Sequence, residues 1–467
     1  MLNDFLILMR SELVITLIIF LLLFIKLGRG LKNETLLNLL YILLFINTII
    51  GFFGQQEGSL FAGMFVTTPL IFFQKTLLSI GTLLIALLNY DWLKKHAHLP
   101  EFFMLLLSAQ LGMFLLISSG NFLIFFLSLE LSTIPIAALA NFDLDKKRSS
   151  EAAMKMILSS AFSSGILLFG ISLLYGATGT ILFAEMPALL KGDPLTIVGF
   201  ILFFTGLAFK LSVVPFHLWT ADVYEGSPVA VTSFLSVISK GSVAFILITV
   251  LYKVFQPLGG EITYPLLVLL SLFTLIIGNL FALRQNNLKR FLAFSSIAQV
   301  GFILVALSSG VKGGAISVTY FILIYIFSNL AAFGVVSIIS EGSGKETIDA
   351  YKGLYKNNKL LSWVMAIALF SLAGIPPTAG FFGKLFLVMA GAVRQNSLFI
   401  VVVALNLVVS LYYYLRVVRA IFMDNNETPL EPLIISKAPK LALIICTVAI
   451  LIIGLIGGVY EYILSLH

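Results

Sequence analysis

Residues 206–240 read GLAFKLSVVPFHLWTADVYEGSPVAVTSFLSVISK. Two apolar runs each hold a lysine, Lys210 and Lys240, and the first also carries Pro215. A water-soluble fold keeps lysine at its surface and proline out of helix interiors. Both features fit together if the runs are membrane helices whose charged groups face a protein interior. Outward from this stretch the texture is the same: 60% of the 467 residues are hydrophobic, 11% are charged, and the mean hydropathy is +1.07. That balance excludes a soluble domain and predicts an all-α integral membrane protein.

A membrane helix needs about 20 mainly apolar residues to cross roughly 30 Å of hydrocarbon. Such windows fall at 5–26, 35–53, 72–93, 100–118, 121–141, 151–175, 195–218, 228–254, 264–283, 290–309, 313–340, 358–391, 396–423 and 439–464. They predict about fourteen transmembrane helices. The first lacks the basic lead and small-residue cleavage site of a signal peptide and is read as a retained helix. The net charge of +7 comes from residues in short loops, which points to lipid and topology rather than nucleic acid. Cys446, the single cysteine, lies in the last window and has no partner for a disulfide or metal site.

Basic residues follow alternate windows. They are Lys26, Arg29 and Lys32; Lys94 and Lys95; Lys146, Lys147 and Arg148; Arg284, Lys289 and Arg290; Lys345, Lys352, Lys356 and Lys359; and Arg416, Arg419, Lys437 and Lys440. By the positive-inside rule these loops face the cytoplasm, and an even helix count places both termini on the periplasmic or outer side. The longest loops, around 341–359 and 420–438, are too short for a soluble domain, which leaves no compartment for a nucleotide, flavin or iron–sulfur cluster.

Four charged residues stand out within the apolar windows: Glu130, Lys210, Lys240 and Lys384. A lone charge at the bilayer centre costs at least ~2.5–3.5 kcal/mol, so such groups pair or face water. They could be fixed ion pairs, or lysines reaching to the interface. Functionally, desolvation disfavours an ammonium and a neighbouring carboxylate favours it, so movement of Glu130 relative to Lys210 would switch the lysine between holding and releasing a proton. Lys240 and Lys384 would continue that line through the membrane centre. Pro215 lies just beyond Lys210, and Pro376 and Pro377 lie just before Lys384, so the seventh and twelfth helices should be discontinuous near mid-membrane and the others mostly regular. Their five-helix separation suggests inverted repeats of helices 4–8 and 9–13, within a single domain divided as 1–99, 100–254, 264–423 and 424–467. His217 and Lys155 are weaker relay candidates, Asp222 and Glu225 read as solvated loop acids, and His96 and His98 lack a third metal ligand.

The stretch 206–240 resembles subunit N of proton-pumping NADH:quinone oxidoreductase, respiratory complex I. LSLELSTIPI (127–136), LKRFLAFSSIAQVGFIL (288–304) and LAGIPPTAGFFGKL (372–385) follow in the order and spacing that family shows. The resemblance implies an antiporter-like subunit of the bacterial inner (plasma) membrane. Glu130 and Lys210 would be its switchable pair, Lys240 the central relay and Lys384 the terminal group. No cofactor is expected in this chain; NADH, flavin, iron–sulfur clusters and quinone would belong to other subunits. The implied partners are other membrane-arm subunits, including the antiporter-like subunit M and small membrane subunits, together with lipid. Subunit M and cation/proton antiporters share the fold but resemble each other in placing a glutamate where Lys384 stands. Subunit L shares the lysine but continues into a long lateral helix, whereas this chain ends at His467. The family commonly has histidine where Gln299 stands; glutamine can bridge by hydrogen bonding but cannot titrate. The rival readings are a subunit of a cation/proton antiporter and a spacer subunit that does not pump.

Overall fold

The computed structural model describes residues 2–28, 30–54, 56–426 and 429–466. Arg29 and His467, both used above, lie outside the described residues. The principal helices are α1 (Arg10–Leu27), α2 (Asn33–Phe52), α3 (Pro69–Leu88), α4 (Leu99–Ile117), α5 (Phe122–Ala140), α6 (Lys147–Thr178), α7 (Pro194–Leu211) and α8 (Leu218–Gly226). They continue with α9 (Val229–Val254), α10 (Tyr264–Leu283), α11 (Leu288–Leu307), α12 (Lys312–Ser343), α13 (Lys359–Ala373), α14 (Ala379–Ala392), α15 (Ser397–Phe422) and α16 (Lys437–Leu455). Among the described residues, 12 are long and apolar enough to cross a membrane. α1 carries Arg10, Glu12 and Lys26, and α13 and α14 are shorter apolar helices. The chain is a multi-pass integral membrane protein.

Burial separates the helices into a centre and a rim. In the most apolar stretch of α11, 94% of residues are buried, and in those of α9 and α12, 89%, against 33% in α15 and α16. An evenly apolar helix enclosed by others is a core helix, whereas one with a bare apolar face meets lipid here. All the charged residues singled out within the apolar windows lie on or beside the central group.

The two ends of the bundle differ in their stitching. At one, the short antiparallel hairpin Gly58–Leu60/Phe65–Thr67 joins the α4–α5 turn through Val66 N–H to the Ser118 carbonyl and Gly120 N–H to the Met64 carbonyl, both 2.8 Å. At the other, basic loop residues meet acids: Lys26–Glu101 at 2.7 Å, Lys94–Glu34 at 3.0 Å and Lys95–Glu341 at 2.7 Å. The basic loops therefore gather at one end, as their alternation along the chain predicts.

Both prolyl interruptions are real breaks. α7 stops at Leu211, Ser212 takes a left-handed conformation (φ 65), and α8 begins at Leu218. α13 stops at Ala373, Gly374 is left-handed (φ 86), and α14 begins at Ala379. Backbone groups freed at membrane depth must find partners inside the protein. At the first break Val214 N–H donates to Thr274 Oγ1 (3.1 Å) and Trp219 Nε1–H donates to the Phe209 carbonyl (3.1 Å). At the second, Gly380 N–H donates to Ser371 Oγ (3.2 Å). The two segments approach so closely that a Cβ at Gly380 would collide with the Ser371 carbonyl oxygen.

The expectation that the other helices are mostly regular fails at α9. It contains two π-helical stretches, Leu235–Ser239 and Val250–Val254, and the first ends where Lys240 begins. One extra residue per turn rotates the side chains that follow. The residues LSVIS carry no proline or glycine to announce it.

Candidate functional site

Glu130 projects from α5 and Lys210 from the last turn of α7, but the two do not meet as the direct pair their placement suggested. Among the described residues neither takes part in an ion pair. Glu130 Oε1 accepts from Ser164 Oγ of α6 at 2.5 Å, and Lys210 Nζ donates to Thr133 Oγ1. Thr133 lies one turn beyond Glu130 on α5, so Lys210 docks on the same helix face, a turn away from the carboxylate. A hydroxyl satisfies each charged group, which removes the need for direct contact and leaves the pair in a separated arrangement.

Lys240 is 5% exposed. Its Nζ donates to Ser296 Oγ of α11 at 2.8 Å and stands 5.4 Å from the centre of the Tyr224 ring. One turn before it, Ser236 Oγ donates to Asn329 Oδ1 at 3.1 Å and lies 3.3 Å from the Tyr325 hydroxyl, both on α12. No carboxylate forms an ion pair with Lys240 among the described residues.

Lys384 is 3% exposed. Its Nζ donates to the Ala373 carbonyl at 3.3 Å, at the broken end of α13, and faces the rings of Phe302 (5.0 Å) and Tyr414 (6.0 Å). A helix C-terminus presents unpaired carbonyls and partial negative charge, so a cation is well placed there. Gln299 serves the same break: its Nε2 donates to the Leu372 carbonyl (3.1 Å) and to the Tyr414 hydroxyl (3.0 Å). The Tyr414 hydroxyl also lies 2.5 Å from Ser295 Oγ. Thus Ser295, Ser296 and Gln299 on α11 touch the surroundings of Lys240 on one side and of Lys384 on the other. Gln299 Oε1 is buried and has no hydrogen-bond partner among the described residues.

His217 sits in the first break, at the start of α8, 7% exposed, with Nδ1 buried and without a hydrogen-bond partner among the described residues. Lys155 does not join the central line. It is 41% exposed and bonds Glu151 and Asp222 at 2.6 Å each, while Arg290 holds Asp222 (2.7 Å) and Glu225 (2.9 Å). Asp222 and Glu225 are therefore paired acids stitching α6, α8 and α11 at the basic end, and not simply solvated loop acids. His96 packs on Phe142 (4.6 Å) and Trp92 (5.0 Å), and burial lowers its proton affinity against the opposing pull of Asp143.

Exposed ion pairs contribute less than about 1 kcal/mol. Lys155→Gln should leave proton uptake by the assembled complex unchanged and alter its stability only slightly. A loss of uptake as large as that caused by altering Lys240 would return Lys155 to the central line.

The sequence pointed to the charged groups and missed their partners, Thr133, Ser164, Ser296 and Tyr414. Thr133 alone had a signal, its place one turn from Glu130.

The family profile described as "NADH:quinone oxidoreductase/Mrp antiporter, TM" matches residues 119–410, which include all four charged residues. The chain is 48% identical over 410 residues to NADH-quinone oxidoreductase subunit N of Phocaeicola vulgatus, covering 87% of each chain. Its fold is similar to a chain of respiratory complex I from Thermus thermophilus with bound aureothin, at a TM-score of 0.84 and 28% identity over 97% of this chain and 98% of that one. A chain of the Mrp complex from a Dietzia species matches at a TM-score of 0.86 and 20% identity over 98% of this chain and 96% of that one, a likeness of fold alone.

Proposed function

We propose that this chain, which belongs to the NADH-quinone oxidoreductase subunit N family and is an antiporter-like membrane subunit of complex I, translocates protons along Glu130, Lys210, Lys240 and Lys384. NADH oxidation and quinone reduction drive it from other subunits, which hold the flavin, the iron–sulfur clusters and the quinone. The observation that carries this reading is the polar seam across α11: Lys240 bonds Ser296, and Ser295 and Gln299 reach Tyr414 beside Lys384. Buried amines with hydroxyl and carbonyl partners, but no bound carboxylate, can change protonation state without leaving a buried anion unpaired.

In the same reading the chain crosses the bacterial inner membrane fourteen times, with both termini on the outer side. Helices spanning 100–254 and 264–423 form the inverted repeats, and subunit M and small membrane subunits are its neighbours in the membrane arm. The two broken helices support the repeats, since each brings a lysine to a helix C-terminus: Lys210 lies in the last turn of α7, and Lys384 reaches the last carbonyl of α13.

The test is Glu130→Gln. The amide keeps the shape and can still accept from Ser164, but the negative charge near Lys210 is gone. Complex assembly should be normal, and proton uptake by energised vesicles should fall at least about twofold, because a positioned proton-transfer group contributes ~10²-fold or more to its step. Full uptake with normal assembly would leave the spacer reading standing.

A further inference from the structure

A second buried ionisable cluster lies outside the central line. Glu12, in the first turn of α1, and Lys75, in the second turn of α3, are 2.5 Å apart and only 2% and 1% exposed. Arg10 shares their surroundings: its Cζ lies 4.3 Å from the centre of the Phe72 ring, and Lys75 Nζ lies 5.8 Å from the same centre. The cluster belongs to the end opposite the basic loops, where Arg10 Nη1 donates to the Gly54 carbonyl at 2.8 Å.

The charges of this cluster do not cancel. Arginine is always charged, so with Lys75 protonated the three groups carry one excess positive charge, and with Lys75 neutral they carry none. Arg10 is fixed by the Gly54 carbonyl and the Phe72 ring, and beside this constant charge a site that takes up and releases a proton alternates between these two states.

Unpaired polar atoms lie in the cluster itself and on the helix packed against α1. Glu12 Oε2, Nε and Nη2 of Arg10, and both amide atoms of Gln110 are buried without a hydrogen-bond partner among the described residues. Gln110 lies on α4, which packs against both α1 and the Lys240 segment of α9. Buried polar atoms rarely stay unpaired, and water commonly supplies the missing partner.

The position relative to Lys240 completes the case. On α3, Leu78 packs on Gly241, the neighbour of Lys240, and Lys75 lies on the same face one turn nearer the opposite end. Gln74 beside it donates to Thr319 Oγ1 of α12 at 3.4 Å, the helix that also supplies Tyr325 to the Lys240 surroundings.

We propose that Glu12 and Lys75, with Arg10 as fixed counter-charge, form a second proton-exchange site that carries protons from the level of Lys240 toward the end opposite the basic loops. A proton released by the Lys240 ammonium crosses by way of water to the Lys75 amine. It passes from Lys75 to the Glu12 carboxylate and leaves to the water beyond, which restores both groups. The inference rests on proton translocation through Lys240.

The experiment uses the assembled complex in vesicles, with proton uptake per NADH oxidised as the readout and assembly checked on native gels. Lys75→Arg keeps the ion pair but cannot release a proton. Glu12→Gln combined with Lys75→Met removes both charges, so neither is left buried alone. In each, uptake per NADH should fall at least about twofold, since a positioned proton-transfer group contributes ~10²-fold or more to its step. Wild-type uptake in either variant overturns the proposal and makes the pair a structural tie between α1 and α3. Should neither variant assemble, Glu12→Asp, which keeps both charges and lengthens the proton step, decides by the same readout. Lys240→Ala is measured alongside: if it also pumps normally, the broader reading has failed, and if it alone is impaired, only the second site has.

Discussion

Lys240→Ala should lower proton uptake by the assembled complex about tenfold or more, the largest loss expected for any substitution in this chain, because a positioned proton-transfer group contributes ~10²–10⁴-fold to its step. The side chain is 5% exposed, and among the described residues its ammonium has one hydrogen-bond partner, Ser296 Oγ at 2.8 Å. Alanine leaves Ser296 its own bond to the Ala293 carbonyl (2.8 Å), so the substitution strands no charge and assembly should survive. Lys240→Arg separates the two readings of this residue. A guanidinium is never deprotonated, so a relay stays broken, whereas an inert structural charge is preserved and uptake recovers. Quinone reductase rate and proton uptake measured on the same vesicles decide it; uptake restored by arginine would end the case for a relay at Lys240.

The fold was legible wherever one residue type carries an unambiguous cost. A lysine inside an apolar run announces a protein-lined interior, and a proline in the same run announces a break. Lys210 with Pro215 and Lys384 with Pro376 and Pro377 therefore located both discontinuities correctly. The π-helical stretch before Lys240 left no trace, because Leu235, Ser236, Val237, Ile238 and Ser239 suit an α-helix equally well.

The partners of the charged groups were hidden for a related reason. Serine and threonine in membrane helices usually bond their own backbone, as Thr133 does to the Leu129 carbonyl and Ser296 to that of Ala293. Nothing in the sequence marks which of them also receives a lysine. The pairing of Lys155 with Asp222 was invisible because the two are 67 residues apart and meet only through packing of α8 on α6. The separation of Glu130 from Lys210 likewise depends on Ser164 and Thr133, two ordinary hydroxyls.

Lys384 should show the second-largest loss, and its local geometry predicts an order among replacements. Its ammonium caps the broken end of α13, where the Ala373 carbonyl accepts it at 3.3 Å, and its Cδ lies 3.2 Å from the position a Cβ on Gly374 would take. Lys384→Ala removes both the proton carrier and the cap. Lys384→Arg keeps a cation at the helix C-terminus, an interaction of about 0.3–2 kcal/mol, but cannot release a proton. Lys384→Glu sets a negative charge against those carbonyls and against the phenol of Tyr414, 6.0 Å from the present ammonium. Assembly on native gels should therefore rank Arg above Ala and Ala above Glu. Proton uptake should fall at least about fivefold in Lys384→Ala and Lys384→Arg, since neither has a group there that can release a proton and a positioned one is worth ~10²-fold or more to its step. If Lys384→Arg assembled and pumped like the natural protein, Lys384 would be a helix cap alone, and the line of transfer would have to end at Tyr414 or earlier.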